Sequence, residues 1–463
     1  MGNISQLLNT ARDALSAQSY GIGVTGQNLA NVNTPGYVRR EAMLETRALG
    51  TQTTGTVQAT GLRRVTDQFL ERRQYESTGL SSAAQEHDNR LASLEALFND
   101  AAGTGLGSAV SAMFNSFSAL AANPSDLTVR QSVLDSAGAL SQRVRDTADT
   151  IAQSRADLLH DAQSTTTQIN DSARAIARLN AQISAAEAQG EDAADLKDQR
   201  NRMLLDLASM VDVRTINSGG SIVVQASGAT LVDGADARQL SVDLDGAGKL
   251  RILASRDGGQ PSEVTQFLTG GKLAGIRETR DVDLFEVGQK LDAFVFDVAT
   301  AVNQQHQQGF GLDGGTGRDI FAVSTVPEGA ARSLQVSADV FAKPEALAAS
   351  ESASTLPGGS GNAALLSGLG SAPIVFGNSR SVGQAYGDIV GDVASRKATS
   401  KTMLESREAI AAQIDAMHEA MSGVSLDEEF VNLTKFQRAY EASARLLTTA
   451  DELLQELINR VGR

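Results

Sequence analysis

A chain of 463 residues is too long for one simple core and points to two to four domains. Apolar residues make up 41% but aromatics only 4%, with no tryptophan, so the cores should be thin and aliphatic, as in helical rods. The net charge of −15 argues against a general nucleic-acid binder, and the lack of cysteine excludes disulfides, thiolate metal sites and cysteine catalysis.

Chance or lineage bias explains the missing cysteines; so does passage through an export apparatus as an unfolded thread. No apolar run approaches the roughly 18 residues of a membrane span, so no membrane contact is expected. The N-terminus shows no basic region, apolar stretch and cleavage site in succession, so no cleavable secretory signal is read there.

The spacing of Ile4, Leu8, Ala11, Leu15, Ile22 and Leu29 predicts a helix over residues 3–30, with Gln18 and Thr25 as polar members of the row. Gly21, Gly23 and Gly26 weaken it by about 1 kcal/mol each relative to alanine, so a neighbour should complete it. These glycines also match a dinucleotide-binding G-x-G-x-x-G, with Glu41 and Glu45 about 20 residues on. An amphipathic helix precedes them instead of a buried strand, and small residues for close helix packing is the better reading.

Pro35 forces Thr34 out of helical conformation, and Pro35-Gly36 suits the centre of a type II turn. Asn31 and Asn33 tolerate left-handed geometry or bond back to the main chain. The helix should stop here and the chain leave extended through Tyr37. Residues 1–80 hold eight arginines, no lysine and six acids. The doublets Arg39-Arg40, Arg63-Arg64 and Arg72-Arg73 suit either acidic surfaces of neighbouring subunits or a solvated face.

Short helices are expected over Asp88–Phe98 and after Gly107. Asn123-Pro124 then reads as the cap and first position of the longest element. Leu140, Val144, Ile151, Leu158, Ala162, Ile169, Ala173, Ile176, Leu179, Ile183 and Ala186 keep one stripe, giving a rod of about 100 Å at 1.5 Å per residue. A helix over 192–210 should fold back along it. From Val211, short alternating or β-branched runs between glycine turns read as an antiparallel β domain of roughly 60 residues. Helical spacing returns with Leu284, Val287, Leu291, Phe294, Val298 and Val302. A last rod helix over 381–421 puts Ile389, Val393, Leu404, Ile410, Ile414, Met417 and Met421 on one side.

The final segment opens with a capping box, Ser425 and Glu428. Asp427, Glu428 and Glu429 crowd its first turn and Arg460 and Arg463 its last, which suits the helix dipole. Leu433, Tyr440, Leu447, Leu454 and Val461 recur every seven residues, with Phe430, Ala444 and Ile458 in the companion row and Gln437 and Asp451 as polar breaks. That is a coiled-coil seam, and the first helix is its obvious partner. The fold class is mainly α with an inserted β part (α+β). A stalk is made by both termini, 1–60 with 422–463. A helical rod domain follows, 61–210 with 276–421, and carries a small β domain at 211–275.

No catalytic, cofactor or metal site emerges. His87, His160, His306 and His418 are scattered along predicted helices and read as solvated faces. Gly358-Gly-Ser-Gly-Asn362 departs from a nucleophile elbow at Asn362. Asp243-Leu-Asp-Gly starts like a calcium loop but lacks its bidentate glutamate.

Two segments carry a resemblance. Asn28-Leu-Ala-Asn-Val-Asn-Thr-Pro-Gly-Tyr37 resembles the N-terminal signature of the axial proteins of the bacterial flagellum, the rod, hook and hook-associated proteins. Ser422-Gly-Val-Ser-Leu-Asp-Glu-Glu-Phe430, Asn432-Leu-Thr-Lys-Phe-Gln-Arg-Ala-Tyr440 and Thr449-Ala-Asp-Glu-Leu453 are similar to their C-terminal signature. The C-terminal wording and the long central helix select the hook–filament junction members. Leu196-Lys-Asp-Gln-Arg200 and Gly270-Gly-Lys-Leu-Ala-Gly275 add support.

The resemblance implies a structural subunit and no enzyme. It implies type III export, no cofactor, and an extracellular place at the hook–filament junction. The implied partners are further copies of the chain, the hook protein, the second junction protein (hook-associated protein 3) and an export chaperone on the C-terminal helix. Asn28, Asn31, Asn33, Thr34, Pro35, Gly36 and Tyr37 would form an assembly motif. Ile4, Leu8, Leu15, Leu433, Tyr440, Leu447, Leu454, Ile458 and Val461 would form the terminal seam, left incomplete until neighbours bury it. A hook or distal-rod subunit is the alternative, and a nucleotide-binding enzyme a distant one.

Overall fold

The computed structural model describes residues 2–48, 55–99, 103, 105–218, 221–255 and 259–461. Arg463 lies outside them, as does the side chain of Val461. Helix α1 (Gly2–Ala30) leads into a hairpin of β1 (Arg40–Ala48) and β2 (Gly55–Arg64). Then come α2 (Gln68–Leu97), α3 (Leu106–Ala122), α4 (Leu127–Ala188) and α5 (Ala194–Met210).

Strands β3 (Val213–Ser218), β4 (Ser221–Ala226), β5 (Ala229–Asp233) and β6 (Asp236–Ala237) form one antiparallel sheet in that order. β7 (Gln239–Leu244), β8 (Leu250–Ser255) and β9 (Ser262–Glu263) form a second. Helix α6 (Gly271–Glu278) runs through a π-helical turn into α7 (Leu284–Gln307). The small elements β10 (Phe321–Ala322), α8 (Ala330–Ser333), β11 (Gln335–Val336) and α9 (Gly361–Gly368) precede α10 (Val382–Ser422) and α11 (Leu426–Val461).

Helix boundaries follow local hydrogen bonding. The long rod α4 is not opened by Asn123-Pro124: Asn123 closes α3, and Asp126 caps α4 by accepting from the Thr128 and Val129 amides. A carboxylate one turn later satisfies two free helix donors, which Asn123 does not reach. At 62 residues α4 is about 93 Å long. It ends at Gly190, whose φ of +74° lets the Glu191 amide turn back to the Ala186 carbonyl. Asp67 caps α2, which starts 20 residues before the Asp88 expected from the sequence.

The core runs along the buried stripe of α4, from Leu140 to Ile183, with Phe117 of α3, Leu91 of α2 and Phe294 of α7. Helix α10 is two-faced. Ile389, Val393, Leu404 and Ile414 are buried, whereas Ile410, Met417 and Met421 are exposed, about a quarter-turn away. Seven-residue spacing drifts on a straight helix, which moves them off the shared side.

Three helix asparagines dock strands in the same way. Asn170 of α4 donates to the Leu240 carbonyl and accepts from the Leu240 amide, each at 2.9 Å. Asn303 of α7 holds Phe321 similarly, at 2.7 and 2.9 Å. Asn28 of α1 holds Arg40. Each carboxamide takes the place of a missing strand neighbour.

The histidines correct the solvated-face expectation. His306 is buried, its Nδ1 bonded to the Arg318 carbonyl and its Nε2 accepting from the Ala348 amide at 2.8 Å. Burial lowers its pKa to about 4. His87 bonds Asp283 at 2.7 Å. His418 is half-buried, and burial lowers its pKa also. Only His160 lies on an exposed face.

Candidate assembly site

The N-terminal motif folds as a clamp. Helix α1 ends where Asn31 Nδ2 donates to the Gln27 carbonyl and the Thr34 amide to the Asn31 carbonyl, each at 2.9 Å. The Tyr37 amide then closes the turn on the Thr34 carbonyl at 3.1 Å, with Gly36 at φ +72°. Any β-carbon at Gly36 would also stand 2.7 Å from Arg202. That is the type II turn read from Pro35-Gly36. Asn33, Thr34 and Pro35 are exposed, and neither Asn31 nor Asn33 has positive φ.

Behind the turn, buried Asn28 Oδ1 accepts from the Tyr37 hydroxyl at 2.9 Å and the Arg40 amide at 3.0 Å. Asn28 Nδ2 donates to the Arg40 carbonyl at 2.8 Å. The Arg40 guanidinium lies 4.7 Å from the Tyr37 ring centroid. Burial pushes the Tyr37 hydroxyl up, further than the nearby Arg40 lowers it.

Two of the arginine doublets, Arg39-Arg40 and Arg63-Arg64, are used within the chain. Buried Arg40 pairs with Asp195 and, at 3.0 Å, with Asp198 of α5; Arg64 bonds the other oxygen of Asp198 at 2.8 Å. Burial opposes the Arg40 charge, but the two carboxylates outweigh it and hold its pKa above the ordinary value. Arg39 donates to Glu429 at 2.9 Å and Glu428 at 2.7 Å, and its amide bonds the Ser422 carbonyl at 2.9 Å. Glu428 is therefore spent on Arg39 and does not return to the Ser425 amide; the capping box keeps only its serine arm, at 3.5 Å. Asp198 lies inside the Leu196–Arg200 segment that supports the resemblance, but sequence alone does not pair it with Arg40.

Helix α11 packs antiparallel on α1, since Arg39 meets its start and Phe436 lies against Gly21, where a β-carbon would be 2.7 Å from the ring. Ile4, Leu8, Leu15, Leu433, Leu447 and Leu454 are half-buried. Tyr440 lies on the rim, beside Leu15, Tyr20 and Gly23. Ile458 is exposed, because α1 ends before reaching it. The companion row is Phe436, Ser443 and Ala450, three residues after Leu433, Tyr440 and Leu447, and not Phe430, Ala444 and Ile458. Phe430 is 53% and Ile458 62% exposed. On the flank of α11, Leu446, Leu453 and Leu457 are also exposed. Of Gly21, Gly23 and Gly26, Gly21 alone packs closely; a β-carbon at Gly23 or Gly26 would meet nothing within 4 Å.

The family model for the helical domain of flagellar hook-associated protein FlgK matches residues 91–321. Flagellar hook-associated protein 1 of Bacillus subtilis (strain 168) is 27% identical, with 98% of each chain aligned. The protein of that name from Salmonella typhimurium is 25% identical over 98% of this chain and 100% of its own. The chain belongs to the flagellar hook-associated protein 1 family. The solved flagellar hook junction protein FlgK of Burkholderia pseudomallei shares the fold, with a TM-score of 0.68 at 16% identity, over 75% of this chain and 99% of that one.

Flagellar basal body rod models match residues 8–37 and 418–460. Those are the two segments that Arg39 brings together. The chain is a structural, extracellular component of the bacterial flagellum.

Proposed function

We propose that the chain sits between hook and filament as the first junction subunit, and that it polymerises through α1 and α11. The observation that carries this reading is the apolar flank of α11, Leu446, Leu453 and Leu457, which remains exposed after α1 has been paired. A neighbouring copy that buries it completes the seam, and the open face of α1 at Gly23 and Gly26 gives a second helix room to approach. The assembly motif Asn28–Tyr37 fixes the angle at which this pair leaves the rod.

The division into a terminal domain (1–60 with 422–463), a rod domain (61–210 with 276–421) and an outer β domain (211–275) follows from this role. So do secretion by type III export, contacts with hook protein and hook-associated protein 3, an export chaperone on α11, and the absence of enzymatic activity.

Electron microscopy of a strain lacking the chain tests the role. Naked hooks with filament subunits shed into the medium support it; absent hooks favour a hook or rod subunit; normal filaments overturn it. Re-expressed Leu453→Asp should leave naked hooks while the purified protein stays folded.

A further inference from the structure

At the foot of the rod, the first turns of α2 and strand β3 enclose an open groove of about 500 Å³. Its floor is apolar, with Phe69 60% and Ile216 52% exposed. Its rim is basic. Arg72, Arg73 and Arg214 are exposed and make no ion pair among the described residues, and Glu76 is the one exposed carboxylate lining the groove. Arg73 rests on the Phe69 ring at 5.8 Å, so the cation and the aromatic present one surface. In a chain of net charge −15, three unpaired arginines around an apolar floor are a local reversal of sign.

The complementary shape lies at the start of α11. Leu426, Phe430 and Val431 are exposed there. Asp427 stands among them, exposed and in no ion pair among the described residues. Leu426 and Phe430 are one turn apart and Asp427 is three residues before Phe430, so the three form one acid-flanked apolar ridge. The neighbouring acids Glu428 and Glu429 are already held by Arg39.

We propose that the groove between α2 and β3 receives the first turn of α11 from a second copy, Phe430 seating on Phe69 and Ile216 and Asp427 meeting Arg72 and Arg73. This rests on the self-assembly reading above and adds a head-to-tail contact distinct from the helix seam. Groove and ridge sit at different places on each chain, so the contact is heterologous and propagates from copy to copy. Charge complementarity fixes its register, and the aromatic contact supplies the buried area.

The absence of cysteine gives a clean test. Ile216→Cys and Phe430→Cys are introduced together into the full chain, expressed in the deletion strain, and oxidised on isolated flagella. The expected result is a ladder of cross-linked multimers, with each single-cysteine variant giving no more than a dimer. Attached filaments with no ladder overturn the groove contact and leave the helix seam standing. If the double variant does not assemble, charge reversal decides. Arg73→Glu and Asp427→Lys should each cut the number of filaments by about tenfold, and the combined variant should restore it. Single reversals without effect, or a pair no better than its parents, overturn the proposal. Filaments that persist with α11 deleted overturn the assembly reading itself.

Discussion

Asn28 grips the main chain of Arg40 from both sides, donating to its carbonyl at 2.8 Å and accepting from its amide at 3.0 Å. Among the described residues, the two-stranded hairpin has no further strand to pair with on this side. A buried helix asparagine supplies the lost partner, and the Tyr37 hydroxyl shares the same oxygen.

Asn28→Ala strands a buried amide and carbonyl. The expected loss is about 2–3 kcal/mol, the cost of leaving such groups without partners. Asn28→Asp removes the donor and should also destabilise. Denaturant midpoints and amide exchange at Arg40 check both. An unchanged exchange rate at Arg40 would remove the clamp from the account.

The two carboxylates facing Arg40 differ in setting. Asp198 is 4% exposed and shared by Arg40 and Arg64; Asp195 is 89% exposed. Asp198→Asn leaves a buried guanidinium under-compensated and should cost about 3 kcal/mol or more. Asp195→Asn should change stability little, as exposed pairs do. Equal midpoints for the two variants would contradict this.

His306 makes stability fall in acid. The unfolded side chain titrates near 6.5 and the folded one at about 4. Between these values the unfolded state binds a proton that the folded state refuses. The contribution is therefore full above about pH 6.5 and is lost as pH drops to about 4, a change of about 3 kcal/mol. Urea melts at several pH values should show a shallower pH slope for His306→Gln than for the parent chain.

The glycines of α1 should separate folding from assembly. Gly23→Ala meets empty space and should stabilise the monomer by up to about 1 kcal/mol through helix propensity. Gly21→Ala must displace the Phe436 ring and should gain less or lose. If a neighbour packs against the open face, Gly23→Ala raises the monomer's melting temperature yet reduces filament attachment. Full attachment would leave that face without a partner.

Much of this was legible in the residues. The period-seven leucines of α11, the hard stop at Pro35-Gly36 and the long stripe of α4 are local patterns, and local patterns survive in the fold. Pairings that close at a distance were not legible. Arg39 and Glu429 lie 390 residues apart, and a doublet of arginines looks the same whether it meets its own chain or another. Periodicity does not fix the companion row of α11, because the rows three before and three after the main row both carry apolar residues; the position of α1 selects Phe436, Ser443 and Ala450. His306 reads as solvated in the sequence because its helix face is covered by the loop that supplies Ala348, which no periodicity announces.

Arg39 and Arg40 are consecutive, yet one is anchored to α11 and the other to α5. A pull or twist applied to the terminal helices thus reaches α5 through charged contacts on both sides of one peptide bond, beside the direct run of α10 into α11. Such a joint transmits torque as a stiff coupling with little slack, which suits a part placed between a rotating hook and a long propeller.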